Sequence, residues 1–418
     1  MHPTVVCLLL IYGFFGFVAT HEELPQNITL EMFMKMLESS KKPPVVDYNP
    51  DVDLTTTGMI RKEGYPAEAH VIPTEDGYLL TLHRIPGDKD SLPIFLQHGL
   101  LGSSADWVIS GKSKGLAYIL ADKGYDVWMG NFRGNTYSKA HCSLSPLSSK
   151  FWEFSFHEMG IYDLPAAISY ITNMRFQPIH MYIGHSMGTT AFYIMASKCP
   201  QITQMVEAMI SLAPVAFVQH IKSPVRILAP FSKQYEIIAN VLGYDEFLPQ
   251  SNFIRLLSKY ICDLNIVEKK ICSNIIFLFC GFDQQQFNYT LLPSILSHSP
   301  AGTSTKTIVH LSQGVLTGKF RPYDYGPKKN KQIYNATEPP DYDLTNVTVP
   351  IALFYADNDW LVSNQDLKKL HGMLNNVLDV YRVPFTKFNH VDFLWGKDAP
   401  QLVYKRLLHL INQSYFDD

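Results

Sequence analysis

The chain has 418 residues, 46% hydrophobic, 17% charged and 13% aromatic, with a formal net charge of −3 and a sequence pI near 6.6. Such composition is globular, with ample apolar material for a large core, and it excludes a wholly disordered chain. There is no basic stripe and no run of like charge, so nucleic-acid binding has no electrostatic footing.

Residues 1–20 read as a signal peptide. Val5 to Val18 is an almost unbroken apolar run that leads into polar His21-Glu22-Glu23. The run is shorter than the roughly 20 apolar residues that a membrane span needs. The alternative is a signal anchor that is never cleaved. No later stretch is long and apolar enough to span a bilayer, so the mature chain is expected to be exported and soluble. Sequons at Asn27, Asn288, Asn335, Asn346 and Asn412 suit an exported glycoprotein. Of six cysteines, Cys7 falls inside the signal, which leaves five and hence at least one free thiol. Cys262 and Cys272 flank a short polar stretch and are the expected disulfide. Cys142, Cys199 and Cys280 read as buried small hydrophobes, and no group of cysteines and histidines has zinc-site spacing.

Residues 21–55 form an N-terminal extension without a core of its own. From Ala69 the pattern changes. His70 to Pro73 and Tyr78 to Ile85 flank the turn signal Glu75-Asp76-Gly77 and predict strand, turn, strand. Leu92 to Gln97 and Tyr125 to Met129 are short apolar runs that predict further strands. Tyr162 to Met174 has helical spacing, His180 to Ile183 is another strand, Thr189 to Ser197 is helical and Val206 to Leu212 is a buried strand. Strands alternating with helices imply an α/β fold with a mostly parallel central sheet. The rhythm breaks after residue 216, then returns with strands at Pro350 to Tyr355 and Leu378 to Val383 and a final helix from Ala399 to Ile411. The predicted organisation is a core in two parts, 56–216 and 346–418, separated by a mainly helical cap at 217–345.

The chemistry centres on Gly184-His185-Ser186-Met187-Gly188. Gly-x-Ser-x-Gly is weak as a bare pattern, but here it follows an apolar strand and opens a helix, the setting of a nucleophile elbow in an α/β-hydrolase fold. A serine hydroxyl is a poor nucleophile until a base takes its proton, and in this fold the acid and base follow the serine in that order. His390, between the last strand and the C-terminal helix, is the candidate base; His371 and His409 are poorer ones. Asp359 is the preferred acid, with Asp357 as the fallback. The oxyanion donors are expected to be the backbone N–H groups of Met187 and Leu100, the latter in the loop Gln97-His98-Gly99-Leu100-Leu101-Gly102. His98 is expected to brace that loop. This chemistry needs no metal or cofactor.

Several longer stretches are shared in order with one family. They include Leu96-Gln97-His98-Gly99-Leu100-Leu101, Gly124-Tyr125-Asp126-Val127-Trp128, Gly130-Asn131-Phe132-Arg133-Gly134-Asn135, Phe154-Ser155-Phe156-His157-Glu158-Met159 and His298-Ser299-Pro300-Ala301-Gly302-Thr303-Ser304. On these motifs the chain resembles the acid lipases of animals, the group that includes gastric lipase and lysosomal acid lipase, from about Gly58 to the C-terminus. The resemblance implies an esterase acting on neutral lipids such as triacylglycerol or cholesteryl ester at an oil–water interface, outside the cell or in lysosomes. It supports Ser186, Asp359 and His390 as the triad, and it implies a Cys262–Cys272 bridge with Cys280 left free. It also implies a lid over the site, whose lipid-facing surface Phe217, Phe231, Phe247, Phe253, Leu256 and Leu257 could line; the alternative is that they are plain core. Met187 departs from the Gln that follows the nucleophile in the gastric and lysosomal enzymes. The rival functions are a non-catalytic lipid carrier on the same scaffold and an esterase restricted to short soluble esters.

Overall fold

The computed structural model describes residues 50–231, 245–249 and 276–413. The signal peptide, Asn27, Cys262, Cys272, Phe253, Leu256 and Leu257 lie outside the described residues.

The described residues form ten strands, the eight that the sequence predicts and two short ones, β7 and β8, that it does not: β1 (Glu68–Pro73), β2 (Leu79–Ile85), β3 (Pro93–Gln97), β4 (Asp126–Met129), β5 (Ile179–His185), β6 (Val206–Leu212), β7 (Glu246–Phe247), β8 (Thr303–Ser304), β9 (Ile351–Tyr355) and β10 (Val377–Arg382). Eight of them make one sheet in the order β1-β2-β4-β3-β5-β6-β9-β10, and β7 pairs separately with β8. The pairs β1–β2 and β2–β4 are antiparallel, and every pair from β4 to β10 is parallel. The strands β3, β4 and β5 are buried along their whole length. This burial is why they read as continuous apolar runs instead of alternating ones.

The sheet's two faces are filled by separate clusters. One holds Ile94, Leu96, Ile183, Ile210 and Phe354 with the C-terminal Tyr404 and Leu407. The other holds Phe95, Trp128, Tyr182, Met209 and Leu353 with Ile168, Phe192 and Met195. The helices that pack there are α1 (Leu164–Arg175) and α2 (Met187–Lys198), on the second face, and α4 (Lys405–Ile411), which supplies Leu407 just after Tyr404, on the first. α1 begins two residues later than its spacing predicts, because residues 159–163 form a wider π-helical turn ahead of Pro165. The predicted C-terminal helix is likewise split, a π turn at Pro400–Tyr404 preceding α4.

Part of the cap packs onto the core through α3 (Thr305–Thr317), whose Ser304 N-cap accepts from Thr307 N–H. His310 on α3 stacks on Phe156 at 3.8 Å between ring centroids. Its two nitrogens bond Ser155 Oγ and the Arg321 carbonyl, each at 2.9 Å. Burial pushes the His310 pKa down to about 3, so the contact is made by a neutral ring. Phe217 is buried, its ring 6.1 Å from that of Phe320. The cysteine expectation is corrected. Cys142 is exposed and Cys199 half-buried; only Cys280 is a buried thiol, and all three are free.

Candidate active site

Register brings the site together. His185 pairs with Leu212, Leu212 with Phe354, and Tyr355 with Arg382. The ends of β5, β6, β9 and β10 therefore form one row, and the loops leaving that row carry the candidate residues. Ser186 comes one residue beyond β5, Asp359 lies four residues beyond β9, and His390 eight beyond β10.

At the end of β5 the chain reverses so tightly that Ser186 takes φ 53° and ψ −119°, a left-handed conformation rare for a residue with a side chain. The turn is held from several sides. Ser186 N–H donates to the Leu212 carbonyl at 3.0 Å, and Thr189 Oγ1 donates to the Ser186 carbonyl at 2.6 Å while accepting Val215 N–H at 2.9 Å. Two glycines allow the surroundings to close in. A Cβ on Gly188 would lie 2.4 Å from the Gln97 carbonyl oxygen, and one on Gly99 would lie 2.9 Å from Ser186 Cβ. The glycines thus permit α2 to start directly against the loop after β3, which brings the two expected oxyanion donors to facing segments.

Met187 N–H stands in the first turn of α2, where a helix leaves its N–H groups unpaired. Leu100 N–H stands in the facing loop, and no described residue accepts a hydrogen bond from either group. That loop is fixed from behind. His98 Nδ1–H donates to the Gly99 carbonyl at 2.7 Å, and its Nε2 accepts Phe132 N–H at 3.1 Å. Burial lowers the His98 pKa to about 4, so it is a neutral brace. Leu101 adopts φ 60°, and its carbonyl accepts Ala301 N–H at 2.7 Å, which ties the loop to the cap. The Gly130–Asn135 motif supplies further support. Asn135 Nδ2 reaches Asn131 Oδ1 at 3.0 Å, and buried Arg133 donates to Asp163 and to Asp76.

His390 Nδ1–H donates to Asp359 Oδ2 at 2.8 Å, with both side chains buried. Asp359 Oδ1 accepts Leu361 N–H at 2.8 Å and Val362 N–H at 2.9 Å. The carboxylate is thus satisfied on both oxygens, and it fixes the imidazole tautomer that leaves Nε2 as the acceptor. Asp357 is engaged elsewhere, its Oδ2 accepting Arg382 Nε–H at 2.8 Å on β10. His371 and His409 are exposed on helices away from this row.

One neighbour escaped the sequence reading. His185, adjacent to the serine, donates from Nε2 to the His390 carbonyl at 2.8 Å. Burial, with the charge of His390 as the next contribution, pushes its pKa down to about 3. A permanently neutral His185 can donate this bond without adding charge beside the serine. The signal was its place inside the elbow motif, but its partner is 205 residues away.

Residues 56–111 match the partial α/β-hydrolase lipase region, and residues 93–251 match the α/β-hydrolase fold. Lipase 3 of Drosophila melanogaster is 42% identical over 363 residues, 85% of this chain and 92% of that one. Human gastric triacylglycerol lipase is 40% identical over 374 residues, covering 88% and 93%. Human lysosomal acid lipase/cholesteryl ester hydrolase is 38% identical over 373 residues, covering 87% and 92%. Among solved structures, an acetylester hydrolase from Corynebacterium glutamicum superposes with a TM-score of 0.51 at 15% identity, covering 85% of this chain and 98% of that one, which speaks to the fold alone. The chain belongs to the acid lipase family of the α/β-hydrolase fold and is a carboxylic-ester hydrolase.

Proposed function

We propose that this chain hydrolyses neutral lipid esters, triacylglycerol first and cholesteryl ester as a second class, by two-step acyl transfer. Ser186 attacks the ester carbonyl, and His390 takes its proton and returns it to the leaving alcohol. Asp359 holds the imidazole in the required tautomer and stabilises its cation without taking the proton. The N–H groups of Met187 and Leu100 bind the oxyanion, and water then releases the fatty acid. The observation that carries this reading is the buried His390–Asp359 hydrogen bond at the sheet edge where Ser186 sits on a tight elbow. Substrate class rests on the relatives, whose names specify triacylglycerol and cholesteryl ester.

The same reading places the protein outside the cell or in lysosomes after removal of residues 1–20. It carries glycans at some of the sequons Asn27, Asn288, Asn335, Asn346 and Asn412 and a Cys262–Cys272 bridge. The 217–345 cap covers the site and uncovers it at a lipid–water interface.

The test is a substrate panel of emulsified long-chain triacylglycerol, cholesteryl ester and short soluble esters, run with wild type and Ser186→Ala. Hydrolysis of the emulsions that disappears in the variant, with lipid binding kept, supports the proposal. Cleavage of short esters alone sinks it.

A further inference from the structure

Residues 280–286 of the cap pass between the loop that carries Asp359 and the loop that carries His390. The Cys280 carbonyl accepts Trp360 N–H at 3.3 Å and His390 N–H at 3.4 Å. Asn389 Nδ2 donates to the Gly281 carbonyl at 2.8 Å. Asn358 Nδ2 joins Phe282 and Lys387 through their carbonyls, at 3.0 and 2.7 Å. The segment is a strap across both loops, and it ends on a feature the mechanism does not use.

That feature is a contact between two carboxyl groups. Asp283 is 1% exposed, and its Oδ1 accepts Gln285 N–H at 2.9 Å and Gln286 N–H at 3.1 Å. Its Oδ2 is buried with no N–H or O–H partner among the described residues. Asp392, two residues after His390 and also 1% exposed, accepts Asn389 N–H on Oδ2 at 2.7 Å. Asp283 and Asp392 meet within hydrogen-bonding range. Two ionised carboxylates are acceptors only and cannot bond each other; one proton between them satisfies both.

We propose that Asp283 and Asp392 share one proton, and that this pair is a positioning device that fastens the Asn389–Asp392 turn, and with it His390, to the strap that also braces the Asp359 loop. The proposal rests on His390 being the general base. Burial is the main influence that holds both carboxyls above their usual range, Asp392 well above it. The proton belongs to the pair and not to one member. Several charged or titratable groups face it. Asp359, on the acid loop, disfavours ionisation of Asp392, while Lys387, on the histidine loop, favours that of Asp283. Cys280, on the strap, is kept as a thiol by burial. His390 lies on the same turn, and Asp398 bonds the strap's far end through Gln286 Nε2 at 2.9 Å.

The direction with pH follows from the raised values. The tie is complete at low pH and is lost as pH rises through the pair's folded-state value. Once both groups ionise, two like charges oppose each other beside Asp359, and the turn is released. The loss therefore falls on kcat and not on KM, because the strap holds the base and not the substrate.

The test compares kcat and KM for a soluble ester, across acid to alkaline pH, in the full chain and in Asp283→Asn, Asp392→Asn and Asp283→Ala. Either amide supplies a permanent N–H in place of the shared proton. At the alkaline pH where wild type keeps a tenth of its maximal kcat, each Asn variant should keep about half of its own. Asp283→Ala should lose about tenfold or more in kcat at the lower pH where wild type keeps the tie, and should converge on wild type at alkaline pH, with KM within about threefold. Alkaline limbs of both Asn variants that overlay wild type overturn the proposal. Should the variants not fold, infrared spectra of wild type decide. A protonated-carboxyl band that persists in Asp106→Asn must disappear with the midpoint of the alkaline loss of kcat, and its absence overturns the proposal. Covalent labelling of wild type by a phosphonate separates the two claims: no label on Ser186 defeats the triad reading, whereas normal labelling with unshifted limbs defeats only the carboxyl pair.

Discussion

Asp359→Asn isolates what the acid does. The substitution is isosteric, and the amide oxygen can keep the Leu361 and Val362 N–H bonds that Asp359 Oδ1 accepts at 2.8 and 2.9 Å. The amide nitrogen then faces His390 Nδ1, now 2.8 Å from Asp359 Oδ2. Donor meets donor, so the ring must take the other tautomer, with Nδ1 as acceptor and the proton on Nε2. That ring can no longer accept the Ser186 proton, and the imidazolium that forms during attack loses its counter-charge. An Asp-to-Asn change of this kind in a serine triad costs about 10⁴ in kcat, which is about 5.4 kcal/mol of barrier. The assay is the initial rate on a soluble ester and on emulsified triacylglycerol, with thermal unfolding as the control for folding. A folded Asp359→Asn within about tenfold of wild type refutes the assignment. Asp357→Asn is the contrast, because its partner Arg382 is more than half exposed and away from His390; activity should stay within about twofold.

The oxyanion assignment uses backbone atoms, so Met187→Gln should leave kcat within about threefold, and a larger loss would mean that the thioether itself contributes. Gly188→Ala puts a methyl group 2.4 Å from the Gln97 carbonyl oxygen and 2.9 Å from that of His98. It should destabilise the fold by about 1–3 kcal/mol and cut kcat, read from calorimetry and ester hydrolysis. A neutral effect on both would mean that the elbow is less tightly packed. Burial raises the Asp106 pKa to about 7, against the opposing bond from Ser103 N–H. A raised folded-state value gives stability that is complete below the unfolded value near 3.8 and is lost as pH rises towards 7. Asp106→Asn does not titrate, so its melting temperature should gain on wild type by about 2 °C or more between pH 4 and pH 7. A constant difference across that range refutes the assignment.

The elements that carry the site were legible because each announces itself locally. β5 is an apolar run that leads into Gly184-His185-Ser186, and Asp359 and His390 follow β9 and β10 by four and eight residues. The sequence favours Asp359 over Asp357 by its greater distance beyond β9 and by the family resemblance; their partners, Arg382 for Asp357 and His390 for Asp359, were not legible in it. The burial of Phe217 against Phe320 was not legible, because an aromatic near a predicted cap boundary looks the same in sequence whatever it packs against. The two π turns displaced helix starts at residues 164 and 405, since a wider turn has no residue signature distinct from an ordinary one.

What sequence could not carry is the coupling between the site's parts. His185 is a motif residue, yet its role depends on a carbonyl 205 positions later. Asn389 looks like an ordinary loop residue, yet it accepts Val391 and Asp392 N–H on one side and donates to Gly281 of the cap on the other. The serine is fixed by the sheet through Leu212, the oxyanion loop by Asn131, Asn135 and the cap residue Ala301, and the base by His185 and the 280–286 strap. Two of those three supports come from the inserted segment. On the proposed mechanism, the described residues of that segment are therefore part of the apparatus that holds the reacting groups in place. A cap substitution that leaves the Ser186 elbow untouched can lower kcat by releasing Leu100 or His390.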